Sequence, residues 1–307
     1  MHPAVATASR YWSSSRIITR IPTIRNGRSA DGKVEKLIKV AGVQMDVAFN
    51  DPNANLKRMK SLLASTSANG AVLTVFPECA LSGYCFESKE EAMENAQSVP
   101  GPAVEAIAQT CKEYDTYAVF GMLEKDADDL FNVCVLLGPE GLIAKYRKAH
   151  LPSLGVDNFA TPGNEPFAVC EAGGLRIGMN ICYDYSFPEA ARVLMLQGAD
   201  LIVLPTNWPE GSRKGANYLI NARAHENHIY YLAVDRVGSE RGFDFIGLSK
   251  CCEPSGDVIA EADHNEEAII YAGIDPSYAR QKHLVRIPGK HEVHRIKDRR
   301  PDLYSSE

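Results

Sequence analysis

No stretch of this 307-residue chain approaches the roughly 18 apolar residues that a helical membrane span requires. Positive charge is also in short supply. With 33 lysines and arginines against 39 acids, the net charge is −6, which argues against a nucleic-acid partner. The eight cysteines, at 79, 85, 111, 134, 170, 182, 251 and 252, contain no CxxC pair. Neither Cys79/Cys85 nor Cys251/Cys252 has a matching histidine pair, so no zinc site is supported. Nor do the cysteines show the spacing of a disulfide framework, and their scatter through strand-like and helical stretches indicates a reducing, intracellular compartment.

Acid is missing from the first 30 residues, which carry Arg10, Arg16, Arg20, Arg25, Arg28 and five serines before Asp31. That composition suits an organelle transit peptide, although Pro3 and Pro22 interrupt any helix. A cytoplasmic protein is expected, with mitochondrial or plastid targeting as the alternative. Residues 1–36 are therefore set apart as a disordered or targeting leader.

What is present is a hydrophobic content of 45%, enough to fill a large core in one catalytic domain over residues 37–275. Ile38 to Met45 reads as a buried strand, and Leu56, Met59 and Leu63 mark a helix ended by Asn69-Gly70. Ala71 to Phe76 is a second strand. Val104, Ile107, Ala108 and Cys111 outline another helix, and Tyr117–Leu123 and Val133–Leu137 look like consecutive strands. Later, 199–205 reads as a buried strand, 213–227 as a helix and His228 to Val234 as a further strand. Such alternation predicts a layered α/β domain. From 276 onward the chain turns polar and basic without clear periodicity, a tail suited to packing on a partner subunit.

Residues 175–189 organise the rest. Ile177, Met179 and Ile181 alternate as one face of a strand that must end at Cys182. Ser186 is an N-cap candidate with Glu189 at capping-box spacing, followed by a stripe of Ala191, Leu194 and Met195 that Gly198 closes. Cys182 is thereby expected beside the positive end of a helix, where a thiolate is favoured over a thiol. A nucleophile also needs a base, a proton donor and an oxyanion stabiliser. Glu78 follows the strand ending at Phe76-Pro77, where α/β proteins place their chemistry. The basic cluster Lys145, Arg147 and Lys148 reaches a strand end, and a cation from it beside the thiol would depress its pKa and offset oxyanion charge.

Taken together, three segments resemble the nitrilase superfamily of carbon–nitrogen hydrolases. Phe76-Pro77-Glu78 is similar to its glutamate motif, Tyr146-Arg147-Lys148-Ala149-His150-Leu151 to its lysine motif, and Ile181-Cys182-Tyr183-Asp184 with Phe187-Pro188-Glu189 to its cysteine motif. Gly121 to Glu124, Asn132, Arg223 to Asn227, Gly247 to Ser249 and Arg300 to Tyr304 match further. The resemblance spans roughly residues 38–304 and implies a four-layer αββα sandwich, a homodimer or higher homo-oligomer, and a Glu-Lys-Cys triad without metal or organic cofactor. Carried over, it makes Cys182 the nucleophile, Glu78 the general base and acid, Lys148 the oxyanion stabiliser, and the Tyr183 backbone N–H a second oxyanion donor. Two departures stand out. Asp157 is the only acid where many members carry a second glutamate, and Asp235 replaces a common asparagine.

These features imply hydrolysis of a small linear amide through a cysteine thioester. Tyr183-Asp184 after the cysteine resembles the amidase and carbamoyl-amide branches rather than true nitrilases, so N-carbamoyl amides and nitriles are the alternative substrates. Tyr84, Phe159, Tyr185 and Trp208 are candidate pocket walls, with Asp157, Tyr84, Asn207 and Trp208 as candidate substrate-positioning residues. A non-catalytic module of the same fold, or a thiol redox or metal-binding protein using Cys251-Cys252 and the histidines, would be the reading from other classes.

Overall fold

The computed structural model describes residues 17–18 and 37–304. In chain order the elements are β1 (Ile17–Ile18), β2 (Ile38–Gln44), α1 (Pro52–Ala68), β3 (Leu73–Val75), α2 (Lys89–Met93), α3 (Pro102–Tyr114), β4 (Tyr117–Asp126), β5 (Asp129–Gly138) and β6 (Gly141–Arg147). There follow β7 (Val169–Ala172), β8 (Leu175–Met179), α4 (Pro188–Leu196), β9 (Leu201–Thr206), α5 (Arg213–Asn227), β10 (Tyr230–Asp235), β11 (Ser239–Glu240) and β12 (Phe243–Asp244). The chain closes with β13 (Lys250–Cys252), β14 (Val258–Glu261), β15 (Ala268–Ile274), α6 (Pro276–Arg280), β16 (His283–Ile287) and β17 (His291–His294). The leader expectation falls on residues outside the described ones, apart from the backbone of β1.

Two large sheets have the strand orders β1-β15-β2-β3-β4-β5-β6 and β14-β13-β10-β9-β8-β7. Each contains three adjacent parallel strands, β2-β3-β4 in one and β8-β9-β10 in the other. Their near-continuous apolar sequences follow from burial on both faces. Val40, Val75, Val119 and Leu136 of the first sheet share one core with Ile177, Val203, Leu232 and Val234 of the second. On the far side of the first sheet, Met59 and Leu63 of α1 and Val104, Ile107 and Cys111 of α3 form a second core. Leu194 and Met195 of α4 and Ile220 and Ala224 of α5 cover the second sheet. Helices, sheet, sheet and helices thus make the four layers expected.

Helix α1 starts where Asp51 accepts a hydrogen bond from the Ala54 N–H and Pro52 occupies the first turn, and it ends on Asn69 as expected. The strand expected from Ala71 is shorter, and His228 caps α5 in the left-handed conformation rather than opening β10. The polar tail is more regular than its composition suggested: β16 and β17 form an antiparallel hairpin.

Candidate active site

The parallel strands of both sheets deliver their chain ends to one place. Glu78 lies just beyond β3, Cys182 beyond β8, Asn207 and Trp208 beyond β9, and Asp235 closes β10. Because β4, β5 and β6 are successively antiparallel, β6 runs in the same direction as β4 and carries Lys148 to the same end. Backbone bonding fixes that register, since the Lys148 N–H donates to the Asn132 carbonyl at 2.8 Å.

Glu78, Lys148 and Asp157 are all buried and in direct contact. Lys148 Nζ donates to Glu78 Oε1 at 2.7 Å and to Asp157 Oδ2 at 2.5 Å. Asn132 bridges the two acids, its Nδ2 lying 2.7 Å from Glu78 Oε1 and 2.9 Å from Asp157 Oδ1. Asp157 accepts a third bond, from the Tyr84 hydroxyl at 2.7 Å. Glu78 Oε2 has no partner. Burial pushes the Glu78 carboxyl up and repulsion from Asp157 adds to it, while Lys148 opposes both. For Lys148, burial disfavours the cation, yet Asp157 and Glu78 outweigh it and hold the ammonium well above its ordinary value. The site therefore keeps a permanent cation beside a glutamate that takes up a proton readily.

Close packing places this acid. A β-carbon on Gly121 of β4 would lie 2.6 Å from Glu78 Cα and 2.4 Å from the Cys79 nitrogen. Gly121→Ala must therefore push the Glu78 backbone away, and a shift of that kind should lower kcat by ~10–100-fold. Steady-state kinetics of the variant test this, and an unaltered kcat would show that the strand yields elsewhere.

Cys182 is buried and starts a 3-10 turn, Cys182–Ser186, with a left-handed φ of 41°. Two buried groups hold the turn from either flank. Asp184 accepts from the Ile181 N–H, the Tyr146 hydroxyl, the His150 N–H and His150 Nδ1, at 2.8, 2.8, 3.2 and 2.7 Å. Arg223 of α5 donates to the carbonyls of Tyr185 and Ser186 at 3.1 and 3.3 Å and to Glu226 at 3.0 Å. Asp184→Ala leaves the buried Ile181 N–H and Tyr146 hydroxyl unpaired, so it should cost about 3 kcal/mol of stability. Denaturant unfolding checks that figure, and an unchanged midpoint would show that water replaces the carboxylate.

Two sequence expectations fail here. Ser186 does not cap a helix: Pro188 opens α4, which forces Phe187 to be extended and act as the cap residue without a side-chain bond. Cys182 thus lies in the 3-10 turn ahead of α4 rather than at the first turn of that helix. Burial first, and the Glu78 charge second, push the Cys182 thiol up, and the Lys148 cation only partly compensates. Weaker help comes from the Thr206 hydroxyl and the Asn207 backbone N–H, which also favour the thiolate. At rest Cys182 is therefore a thiol, which would need a base to ionise.

Of the residues singled out in the sequence, Glu78, Lys148, Asp157 and Cys182 form this cluster, and Asn207 reaches it through its backbone. Tyr183 follows the sulfur in the turn, with its exposed ring edge-on to Phe187. Trp208 is fully buried against Tyr185, with ring centroids 5.5 Å apart. Tyr84 stands behind Asp157, buried in a cluster with Cys79, Val156 and Phe245, against which Phe159 packs. The bridging role of Asn132 went unread, although a lone amide in the apolar stretch Leu130-Phe-Asn-Val-Cys134 was the signal.

The sequence profile of the family described as carbon–nitrogen hydrolase matches residues 39–283. The chain belongs to the carbon–nitrogen hydrolase family. It is similar to a nitrilase from Pyrococcus abyssi, with 39% identity over 87% of this chain and 99% of the relative. It is also similar to the human omega-amidase NIT2, at 30% identity over 88% and 97% of the two chains. Among solved structures, Saccharomyces cerevisiae Nit3, a member of branch 10 of the nitrilase superfamily, superposes with a TM-score of 0.73 at 25% identity, covering 84% of this chain and 98% of Nit3. An amidase from Nesterenkonia sp. AN1, seen with an acetamide moiety added covalently at its active-site cysteine, shares the fold with a TM-score of 0.70 at 23% identity, over 82% and 96% of the chains. This member of the nitrilase superfamily is thus a hydrolase of carbon–nitrogen bonds other than peptide bonds.

Proposed function

We propose that this carbon–nitrogen hydrolase cleaves small linear amides through a thioester on Cys182, releasing ammonia and a carboxylic acid. The contact of Lys148 with both Glu78 and Asp157, at the site of the Cys182 thiol, carries the reading. Glu78 takes the thiol proton, and the sulfur attacks the carbonyl carbon. Lys148 and the Tyr183 N–H hold the resulting oxyanion. Glu78 then delivers the proton to nitrogen, the C–N bond breaks and ammonia leaves. Water, losing a proton to Glu78, attacks the thioester; the C–S bond breaks and the thiol is restored. Asp157 keeps Lys148 cationic and in place through the cycle, while Tyr84 and Asn132 orient Asp157.

Ammonia release from short amides, with iodoacetamide alkylation of Cys182 slowed by the same amides, is the direct test. Turnover of nitriles alone would overturn the proposal. The raised Glu78 pKa sets a further expectation: the base is lost as pH falls, so the acid limb of kcat/KM should lie above the ordinary glutamate value of about 4.3. A limb at or below that value would remove Glu78 from the role.

We also propose a homodimer built on the outer face of α4 and α5. Val193, Leu196 and Tyr218 are exposed there at 38%, 38% and 70%, which is costly for a surface left in water. A groove of about 500 Å³ beside it is lined by Glu189, Arg192, Glu226, Arg295, Asp298 and Arg299, a mixed-sign set able to complement itself about a two-fold axis. Sedimentation should give a dimer that Val193→Glu with Leu196→Glu converts to monomer; a monomeric unaltered protein would refute the assembly.

A further inference from the structure

The turn that ends β9 leaves polar side chains unpaired. The Thr206 hydroxyl faces the Cys182 sulfur, while Asn207 Oδ1, Asn207 Nδ2 and Trp208 Nε1 are all buried without a hydrogen-bond partner. All three residues are 0% exposed. Buried donors and acceptors are ordinarily satisfied, so consecutive orphans mark a surface completed by something else. Position says what that is. The Thr206 hydroxyl and the Asn207 backbone N–H act on the Cys182 sulfur, so an acyl group attached to that sulfur lies next to this turn.

Every atom offered by the turn is neutral. One amide and one hydroxyl can donate or accept, and one indole N–H can donate. Around it the charge is unfavourable to anions. Glu78, Asp157, Asp184 and Glu240 are buried. The buried cations among the described residues at the site are committed: Lys148 to Glu78 and Asp157, Arg223 to Glu226 and two carbonyls, and Arg236 to Glu240, Asp46 and the Val47 carbonyl. His150 is bonded to Asp184. Asp235 lies against the same turn: one of its oxygens accepts from the Trp208 backbone N–H at 2.8 Å, the other has no partner, and burial pushes its carboxyl well above the usual carboxylate range. A carboxylate brought beside these groups would lose its water and find no counter-ion.

Resting on the amide-hydrolase reading, we propose that the enzyme selects amides with an uncharged acyl chain, a neutral polar end of which is read by Asn207 and Trp208, and discriminates against amides that carry a distal carboxylate. The complementary shape for an asparagine amide is another primary amide, which accepts one bond and donates one. The indole N–H then donates to the remaining lone pair of the same carbonyl.

Three compounds separate the possibilities: succinamide, with a neutral amide at each end; succinamate, the same skeleton with one end a carboxylate; and butyramide, the same length with an apolar end. Ammonia release by the unaltered enzyme should give kcat/KM for succinamide ~100-fold above succinamate and ~10-fold above butyramide. Asn207→Asp, which keeps the shape and adds charge, should raise KM for succinamide ~10-fold and change KM for butyramide far less. Equal or faster turnover of succinamate overturns the proposal. If that turnover is lost in Lys214→Ala, the carboxylate is read by this exposed lysine at the start of α5, where Gly215 lets the helix sit against the Tyr185 hydroxyl. Ammonia from none of the three compounds overturns the amide-hydrolase reading itself, and the selectivity with it.

Discussion

Cys182→Ala should lower turnover of any amide substrate by at least ~10³-fold while the protein stays folded. Without the sulfur no acyl-enzyme forms, and Glu78 with Lys148 can only assist direct attack by water. The substitution isolates chemistry from structure because the turn is held by Asp184 and Arg223 rather than by the thiol. A companion variant checks the geometry. The left-handed φ of 41° at position 182 is unfavourable for any residue with a β-carbon, so Cys182→Gly should be about 1 kcal/mol more stable than Cys182→Ala. Both variants should be inactive, and thermal unfolding should rank them in that order. Residual activity within tenfold of the parent would remove Cys182 as the nucleophile.

Lys148→Met should be the most damaging single change to stability, and it should slow the reaction as well. It deletes the cation that Glu78 and Asp157 share, leaving two carboxyl groups fully buried without a counter-charge. Breaking a buried pair from one side costs about 3–5 kcal/mol. Loss of the oxyanion contact should lower kcat by a further ~10²–10³-fold. The pH dependence has a definite sign. Glu78 has a folded-state pKa above its ordinary value, so the stability linked to its protonation is present at low pH and disappears as pH rises through the folded value. Without Lys148 the one strong influence lowering that pKa is gone, and the folded value climbs. The stability gap between variant and parent should therefore be small near about pH 4 and widen toward about pH 8. Denaturant unfolding across that range measures it; a gap independent of pH would mean that the lysine acts by packing alone.

The comparison with Asp157 is instructive for how such sites are read. In the sequence it was the only acid in a loop where many members of the family carry a second glutamate. In the fold, Gly155 adopts a left-handed φ of 52° and packs on Tyr84, drawing the loop inward. Tyr84, Asn132 and Lys148 then converge on the carboxylate. Loop path, not residue length, settles whether the acid reaches the lysine. Asn132 shows the converse: its chemistry was visible as one amide in an apolar strand, but only register with β4 and β6 puts it between two acids.

By itself the sequence determined the layered α/β class and the strand ends at which candidate chemical groups stand, whereas Lys148 was singled out from its basic cluster only through the family resemblance. The class and the strand ends depend on local periodicity and on side-chain type, which the chain displays directly. Tertiary structure alone decided the protonation state of the site. A strand-to-helix reading suggested an activated thiolate beside a helix end, whereas burial and the Glu78 charge make Cys182 a thiol and hold Glu78 ready to accept its proton. Desolvation and the sum of nearby charges are properties of groups brought together from positions 78, 148, 157 and 182, and no local pattern in the chain contains them.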